Sequence, residues 1–97
     1  MKQLSIYCSH DLEDQVIEAL DRGGVDGYLR VAHATGNKFK PGGELPRVMS
    51  WDAALYLVPA VPPERAEAIV NELERFAGSC EVRPCLRIVV AAVERVV

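Results

Sequence analysis

The spacing of hydrophobic positions changes several times along the chain, and each change marks the boundary of a predicted element. Residues 3–8 alternate apolar and polar side chains, which is the period of a half-buried strand. From residue 11 to residue 22 the apolar side chains recur at helical spacing and form one stripe. Ser9 is a residue type that caps helix N-termini, and Gly23-Gly24 supplies the left-handed exit common at helix C-termini. The pattern predicts a strand followed by a helix.

Two further strands are predicted in the middle of the chain. Residues 28–35 alternate again, with Arg30 on one side and His33 on the other, and Gly36 is predicted to end this strand. Residues 51–61 are rich in strand-forming side chains and stop at a group of prolines. The two strands are separated by a long polar segment.

The last third of the chain predicts a second helix and a fourth strand. Pro63 suits the first position of a helix, an apolar stripe continues to Ala77, and Gly78 is predicted to end it. Residues 86–97 form the final strand, and the unbroken apolar run at 88–90 predicts that both of its faces are covered. The order of elements predicts one domain over residues 1–97 with an α+β, ferredoxin-like βαββαβ sandwich. Two helices would cover one face of a four-stranded antiparallel sheet, with the first and third strands in the middle.

The segment from residue 37 to residue 49 is the first candidate for a functional element. A connection of more than about a dozen residues between strands of a small domain is usually functional or disordered. The segment and its flanks are basic, and Glu44 is the only acid between Arg30 and Arg47. Six cations could together bind a small anion, or could be solvated surface charges without a common focus; they are Arg30, Lys38, Lys40, Arg47, Arg83 and Arg87.

Composition limits the function classes. Of the 97 residues 49% are hydrophobic and 26% are charged, which is typical of a globular protein, and no apolar run approaches the roughly 20 residues of a membrane span. The net charge of −3 argues against general nucleic-acid binding, which depends on clustered cations. The first ten residues lack the apolar core of a secretion signal, so we expect a cytoplasmic protein. Three cysteines, an odd number, predict free thiols rather than a disulfide framework.

A short motif carries a resemblance to a known family. The run Gly24-Val25-Asp26-Gly27-Tyr28-Leu29-Arg30-Val31, followed by Gly36 and the long segment, resembles the PII signal-transduction superfamily and especially its shorter PII-like members. The closing residues 93–97 are also similar to the last strand of that family. The resemblance implies a homotrimer that binds an adenine nucleotide or another small anionic effector in clefts between subunits.

The same resemblance assigns roles to individual residues. The effector site would contain Arg30, Gly36, Asn37, Lys38 and Arg87. The segment 37–49 would correspond to the T-loop and report occupancy to a partner protein, a membrane transporter or an enzyme, through Lys40, Glu44 and Arg47. PII proteins have a Gly-rich, phosphate-wrapping segment before the last strand, whereas residues 79–84 here contain no glycine, so nucleotide contacts there would use different residues. The resemblance implies a regulator and not an enzyme.

Two alternatives remain open from the sequence. Thiol and imidazole groups are usual ligands of zinc and copper, and Cys8, His10 and His33 would be the metal ligands if the chain resembled the CutA divalent-cation-tolerance proteins of the same fold. Cys80 and Cys85 are further candidates, but no Cys-x-x-Cys pair is present. A small enzyme or ligand-binding dimer of the α+β-barrel type is the second alternative, although no activating partner marks a histidine as a base or a cysteine as a nucleophile.

Overall fold

The computed structural model of the chain describes residues 1–39, 48–80 and 85–97. In chain order the elements are strand β1 (Lys2–Cys8), a 3-10 helix (His10–Leu12), helix α1 (Glu13–Arg22), strand β2 (Leu29–Phe39), strand β3 (Val48–Val61), helix α2 (Pro63–Glu74) and strand β4 (Leu86–Ala92). The strands form one antiparallel sheet in the order β2-β3-β1-β4. The predicted ferredoxin-like architecture, with the first and third strands central, is therefore confirmed. None of the helices in these ranges is long and apolar enough to cross a membrane.

The core lies between the two helices and one face of the sheet. Its largest fully buried side chains come from the central strands and from the apolar stripes of both helices: Leu4, Ile6, Val16, Leu20, Tyr56, Val58, Ile69 and Leu73. Burying one such aliphatic side chain stabilises the fold by roughly 1.5–3 kcal/mol.

The helices approach closely at Gly23, where a Cβ would lie 2.5 Å from Cγ1 of Ile69. Gly24 supplies the predicted left-handed exit, with φ of 73°.

The opposite face of the sheet is open and largely apolar. Leu29 is 63% exposed, and Val31 and Val89 are also exposed. The prediction that β4 is covered on both faces is wrong for the single chain, because Val89 and Val90 point to opposite sides and are 46% and 47% exposed. Strand β4 lies at an edge of the sheet, and helix α2 packs against only part of it.

The second and third strands run further than predicted. Gly36 does not end β2; it pairs with Trp51 of β3, and the pairing continues to Phe39 and Val48. The indole of Trp51 occupies the space that a Cβ on Gly36 would need. Glycine is thus required here for close packing, not as a break. Strand β1 pairs with β3 only from Ala54 onward, so residues 34–39 and 48–53 form a two-stranded extension, the distal ribbon. Both ends of the predicted 37–49 segment belong to this ribbon.

Two local predictions need correction at the junction of β1 and β4. Ser9 is buried and makes no side-chain cap on the following helix. Instead its hydroxyl accepts a hydrogen bond from the N–H of Cys85 at 3.1 Å, and its own N–H donates to the Cys85 carbonyl at 2.8 Å. Cys85 is also bonded to Cys80 in a disulfide, so the expectation of three free thiols is wrong, and only Cys8 is free. A pairing over five positions escaped prediction because spacing alone does not fix Cα separation, which is 5.2 Å here.

The predicted ends of the second helix and the fourth strand also shift. Helix α2 ends at Glu74. Residues 75–78 form turns, and Gly78 at their end has a φ of 80°. Strand β4 ends at Ala92 rather than at residue 97. These shifts leave the topology unchanged.

Candidate functional site

A β-bulge brings a histidine to the helix-covered side of the sheet. The register of β2 against β3 shifts between Val31 and Ala34, which pair with Leu55 and Ala53. Two residues, at positions 32 and 33, therefore face the single residue at position 54. A bulge of this kind re-aims a side chain. His33 consequently lies on the same face of the sheet as Arg30, although strict alternation predicts opposite faces for the two.

Two imidazoles and one carboxylate meet at this bulge. Oδ2 of Asp52 lies 2.8 Å from Nε2 of His10 and 3.0 Å from Nδ1 of His33. The two imidazole rings are tilted, with centroids 5.3 Å apart. His10 comes from the 3-10 helix after β1, His33 from β2 and Asp52 from β3. Three segments that are distant in sequence thus converge on one exposed surface point.

A second carboxylate, Glu13, organises the buried side of the cluster. Its Oε1 accepts hydrogen bonds from the Arg30 guanidinium at 2.6 Å and from the Tyr56 hydroxyl at 2.6 Å. Its Oε2 contacts Nδ1 of His10 at 2.9 Å. The side chain of Glu13 is only 15% exposed, whereas those of its partners His10 and Arg30 are 38% and 42% exposed. Glu13 ties His10 to the core through Tyr56.

The charges of the cluster perturb its titration. The Arg30 hydrogen bond, assisted by Tyr56 and His10, lowers the pKa of Glu13 to about 2. Hydrogen bonds to the carboxylates of Glu13 and then Asp52 raise the pKa of His10, and the bonds that Asp52 accepts from His33 and His10 lower the pKa of Asp52. Each shift favours the charged form of the group concerned.

The donor set also suits a metal ion. His10, His33 and Asp52 each offer one ligand atom, and these atoms lie within 4.8 Å of one another. Cys8, the thiol predicted for a metal set with these histidines, lies in the core instead. Burial raises the pKa of Cys8 to about 12, so the thiolate that would bind a metal is scarce at neutral pH. The third donor beside the two histidines is therefore Asp52 and not the predicted Cys8.

The residues predicted to bind an effector do not gather within one chain. Arg30 lies on β2 on the helix side, bonded to Glu13 and Tyr56. Arg87 lies on β4, at the other edge of the sheet, where it pairs with Tyr7 on β1. Two strands separate them, which is about 14 Å across the sheet.

The remaining predicted residues lie on or beyond the distal ribbon. Gly36 is packed under Trp51, Asn37 accepts a hydrogen bond from the Ser50 hydroxyl at 2.6 Å, and Lys38 is exposed. The predicted partner contacts Lys40, Glu44 and Arg47, together with Arg83 of the predicted anion cleft, lie outside the described residues.

Sequence reasoning missed Glu13, Asp52 and Tyr56. Glu13 lies in the first turn of a helix, where the positive end of the helix dipole favours an acid without any further partner. Asp52 carried a usable signal, because it shares the inward register of β3 with Ala54 and Tyr56, and an acid on that register of a strand needs a partner. The signal is weak because most of the strand is apolar, which is typical of a purely structural element.

Comparison with known proteins supports the fold assignment. No protein-family model matches the chain, and no curated protein matches it in sequence. Among solved structures, CPII from Thiomonas intermedia K12, a nitrogen regulatory PII-like protein bound to ADP, AMP and bicarbonate, is 23% identical with a TM-score of 0.65, covering 99% of this chain and 94% of that one.

Two further structures agree with this. A structure of CPII bound to ADP and bicarbonate is 26% identical over 97% of this chain and 88% of that one, with a TM-score of 0.61. GlnK of B. subtilis is 14% identical, with a TM-score of 0.69 over 96% and 84% of the two chains. The resemblance to PII-like proteins seen in the sequence is confirmed at the level of the fold. The similarity does not favour a CutA-type protein.

Proposed function

We propose that this chain, which has the fold of PII-like proteins, is a regulatory protein that binds a small anionic effector, an adenine nucleotide in the first place. The effector would occupy clefts between the subunits of a homotrimer. Segment 37–49 would then signal occupancy to a partner, a membrane transporter or an enzyme, in the cytoplasm. The protein acts by binding and not by catalysis.

The observation that carries the proposal is the similarity to CPII over nearly the whole of both chains. That protein was bound to ADP and bicarbonate. The distal ribbon supports the same function. It extends beyond Ala54, where the pairing of β1 with β3 begins, and its far end carries residues 37–39 and 48–49 of that segment.

The open sheet face supports a homo-oligomer. Leu29, Val31 and Val89 form part of an exposed apolar surface. Leu29 and Val31 pair with Leu57 and Leu55 of β3, and Val89 lies on the same face across β1. An exposed apolar sheet of this kind is a typical interaction surface. Packing the same face of three chains together would bury it.

The separation of Arg30 from Arg87 supports a site between subunits. Within one chain these cations lie at opposite edges of the sheet, with β3 and β1 between them. In a ring of subunits one edge of a chain meets the other edge of its neighbour. A phosphate group could then be contacted by both, and charge-assisted bonds to two cations are stronger than bonds to one.

Calorimetric titration with ADP, with and without bicarbonate, tests the proposal. We expect saturable binding that Arg87→Ala and Lys38→Ala each weaken, since both remove a cation from the proposed cleft. Arg75→Ala is the matched control. Arg75 is exposed at the C-terminal end of α2, and its guanidinium donates a hydrogen bond to the backbone carbonyl of Glu72. Absence of binding to ADP, AMP and ATP at millimolar concentration, by a protein that is assembled and folded, would refute the nucleotide assignment.

A further inference from the structure

We propose that His10, His33 and Asp52 form a binding site for a divalent late transition-metal ion, for which Zn²⁺ is the natural probe. The argument rests on these three side chains and not on nucleotide binding, although Arg30 of the proposed effector site contacts Glu13 beside them. Two imidazoles and a carboxylate are a common ligand set for such ions and leave coordination positions open for water or a further ligand.

The geometry is close to what a metal requires. Zinc bonds of about 2.0–2.2 Å in a tetrahedral arrangement place ligand atoms roughly 3.3 Å apart. Here the Asp52 oxygen lies 2.8 Å and 3.0 Å from the two histidine nitrogens, and no pair exceeds 4.8 Å. Side-chain rotations that move the ligand atoms by at most about 1.5 Å would bring all three to the separations of a tetrahedral zinc site. All three residues are exposed, so these rotations disturb no core packing.

Glu13 prepares His10 as a ligand. Its Oε2 lies 2.9 Å from Nδ1 of His10, so the proton is held there and Nε2 faces Asp52. A carboxylate on the second nitrogen of a metal-bound histidine is the usual supporting contact, which fixes the ring orientation and raises ligand basicity. Arg30 and Tyr56 in turn fix Glu13. These contacts hold the ring of His10 in one orientation beside Asp52.

The position of the site gives the metal a structural consequence. His33 and Asp52 sit on β2 and β3 at the root of the distal ribbon, and His10 sits on the turn between β1 and α1. A bound ion would join the ribbon to the body of the domain at a point where β1 no longer pairs with β3. Metal occupancy would therefore stiffen the ribbon root that leads to segment 37–49.

The chain allows a clean test, because His10 and His33 are its only histidines. Untagged protein is titrated with Zn²⁺ by calorimetry, without reductant so that the Cys80–Cys85 disulfide stays closed. We expect one ion per chain, and shifts of both imidazole signals in the NMR spectrum. His33→Ala and Asp52→Asn should each lower the affinity at least about tenfold.

Two features keep the test decisive. The side chain of His33 is 78% exposed, so His33→Ala removes a ligand without removing packing and the variant will fold. Asp26→Asn is the matched carboxylate control, exposed in the connection between α1 and β2, and should bind Zn²⁺ as the parent does. Equal Zn²⁺ affinity in the parent, His33→Ala and Asp52→Asn would overturn the proposal. So would undetectable binding by the parent. Neither result would bear on nucleotide binding, which is measured with a different ligand.

Discussion

Trp51 and Gly36 face each other across the distal ribbon, and the indole of Trp51 lies where the Cβ of any larger residue at position 36 would be. The contact joins β2 to β3 on the open side of the sheet, next to the inward-facing Asp52. Because Trp51 is the only tryptophan of the chain, the tryptophan fluorescence comes from this indole and its surroundings. Glycine at the base of segment 37–49 thus serves packing, whatever it contributes to an effector.

Gly36→Ala should destabilise the protein by about 1–3 kcal/mol, because the added methyl group overpacks the contact with Trp51. Urea denaturation followed by far-UV circular dichroism measures the change, because this readout also serves variants that lack Trp51, the only tryptophan of the chain. Gly27→Ala is the control, since a Cβ at Gly27 meets no atom within 4 Å, and it should be nearly neutral. In a Trp51→Leu background the cost of Gly36→Ala should shrink, which a double-mutant cycle would detect. An unchanged cost in that background would contradict the packing explanation.

Acid should destabilise the protein through Glu13. Its pKa is about 2 in the folded chain against an ordinary 4.5, so its contribution is present above about pH 4.5 and is lost as the pH falls toward 2. The shift corresponds to at most about 3 kcal/mol. The charged and titratable groups that face it are Arg30, Tyr56 and His10.

Denaturation of parent and Glu13→Gln at several pH values checks this. The variant should be less stable at pH 7, and its stability should change less between pH 4.5 and pH 2. Asp14→Asn, an exposed carboxylate on the same helix, should keep the slope of the parent. If the free energy of unfolding falls equally for Glu13→Gln and for the parent between pH 4.5 and pH 2, the contacts of Glu13 are not the cause of the acid destabilisation.

Thiol reactivity should separate the three cysteines. The native oxidised protein should react negligibly with a disulfide reagent at pH 8, because Cys8 is buried and its pKa is raised to about 12. The oxidised protein in denaturant should expose one thiol, and the reduced protein three. Closing the short loop between Cys80 and Cys85 should stabilise the fold by about 2 kcal/mol, so reduction should lower the melting temperature by several degrees. Three reactive thiols before reduction would contradict the disulfide.

The open sheet face should control assembly. Leu29→Asp introduces a charge at a position that is 63% exposed in the single chain, so the monomer should keep its stability while the oligomer dissociates. Sedimentation velocity measures the change in mass. Ala68→Asp, on the exposed side of α2, is the matched control and should sediment as the parent does. An unaltered sedimentation coefficient for Leu29→Asp would exclude this face as the interface.

The fold could be predicted from the sequence because, along most of the chain, the spacing of apolar residues and the positions of glycine and proline mark the same element boundaries. The helix-spaced apolar residues and Gly24 defined α1, and the prolines before α2 defined its start. The error at Gly36 arose because glycine has two uses, as a break and as space for a neighbour. Only the partner across the strand pair decides between them, and Trp51 is fifteen positions away.

The candidate site could be predicted only in part. His10 and His33 were recognised by their chemistry, but strict alternation set His33 opposite Arg30, and the bulge that brings both toward Glu13 and Asp52 leaves no mark on local periodicity. The third ligand came from a strand that seemed wholly structural. Such a site depends on register, which is a property of strand pairs and not of one segment.

Hydrogen exchange of the assembled protein, with and without saturating ADP and bicarbonate, tests the central claim most directly. A regulator of the proposed kind must bind the effector better in one arrangement of segment 37–49 than in the others. We therefore expect slower exchange around Gly36 and Arg87, where the effector would bind, and a changed rate within segment 37–49. Identical exchange throughout the segment at full nucleotide occupancy would contradict the claim that this protein signals through it.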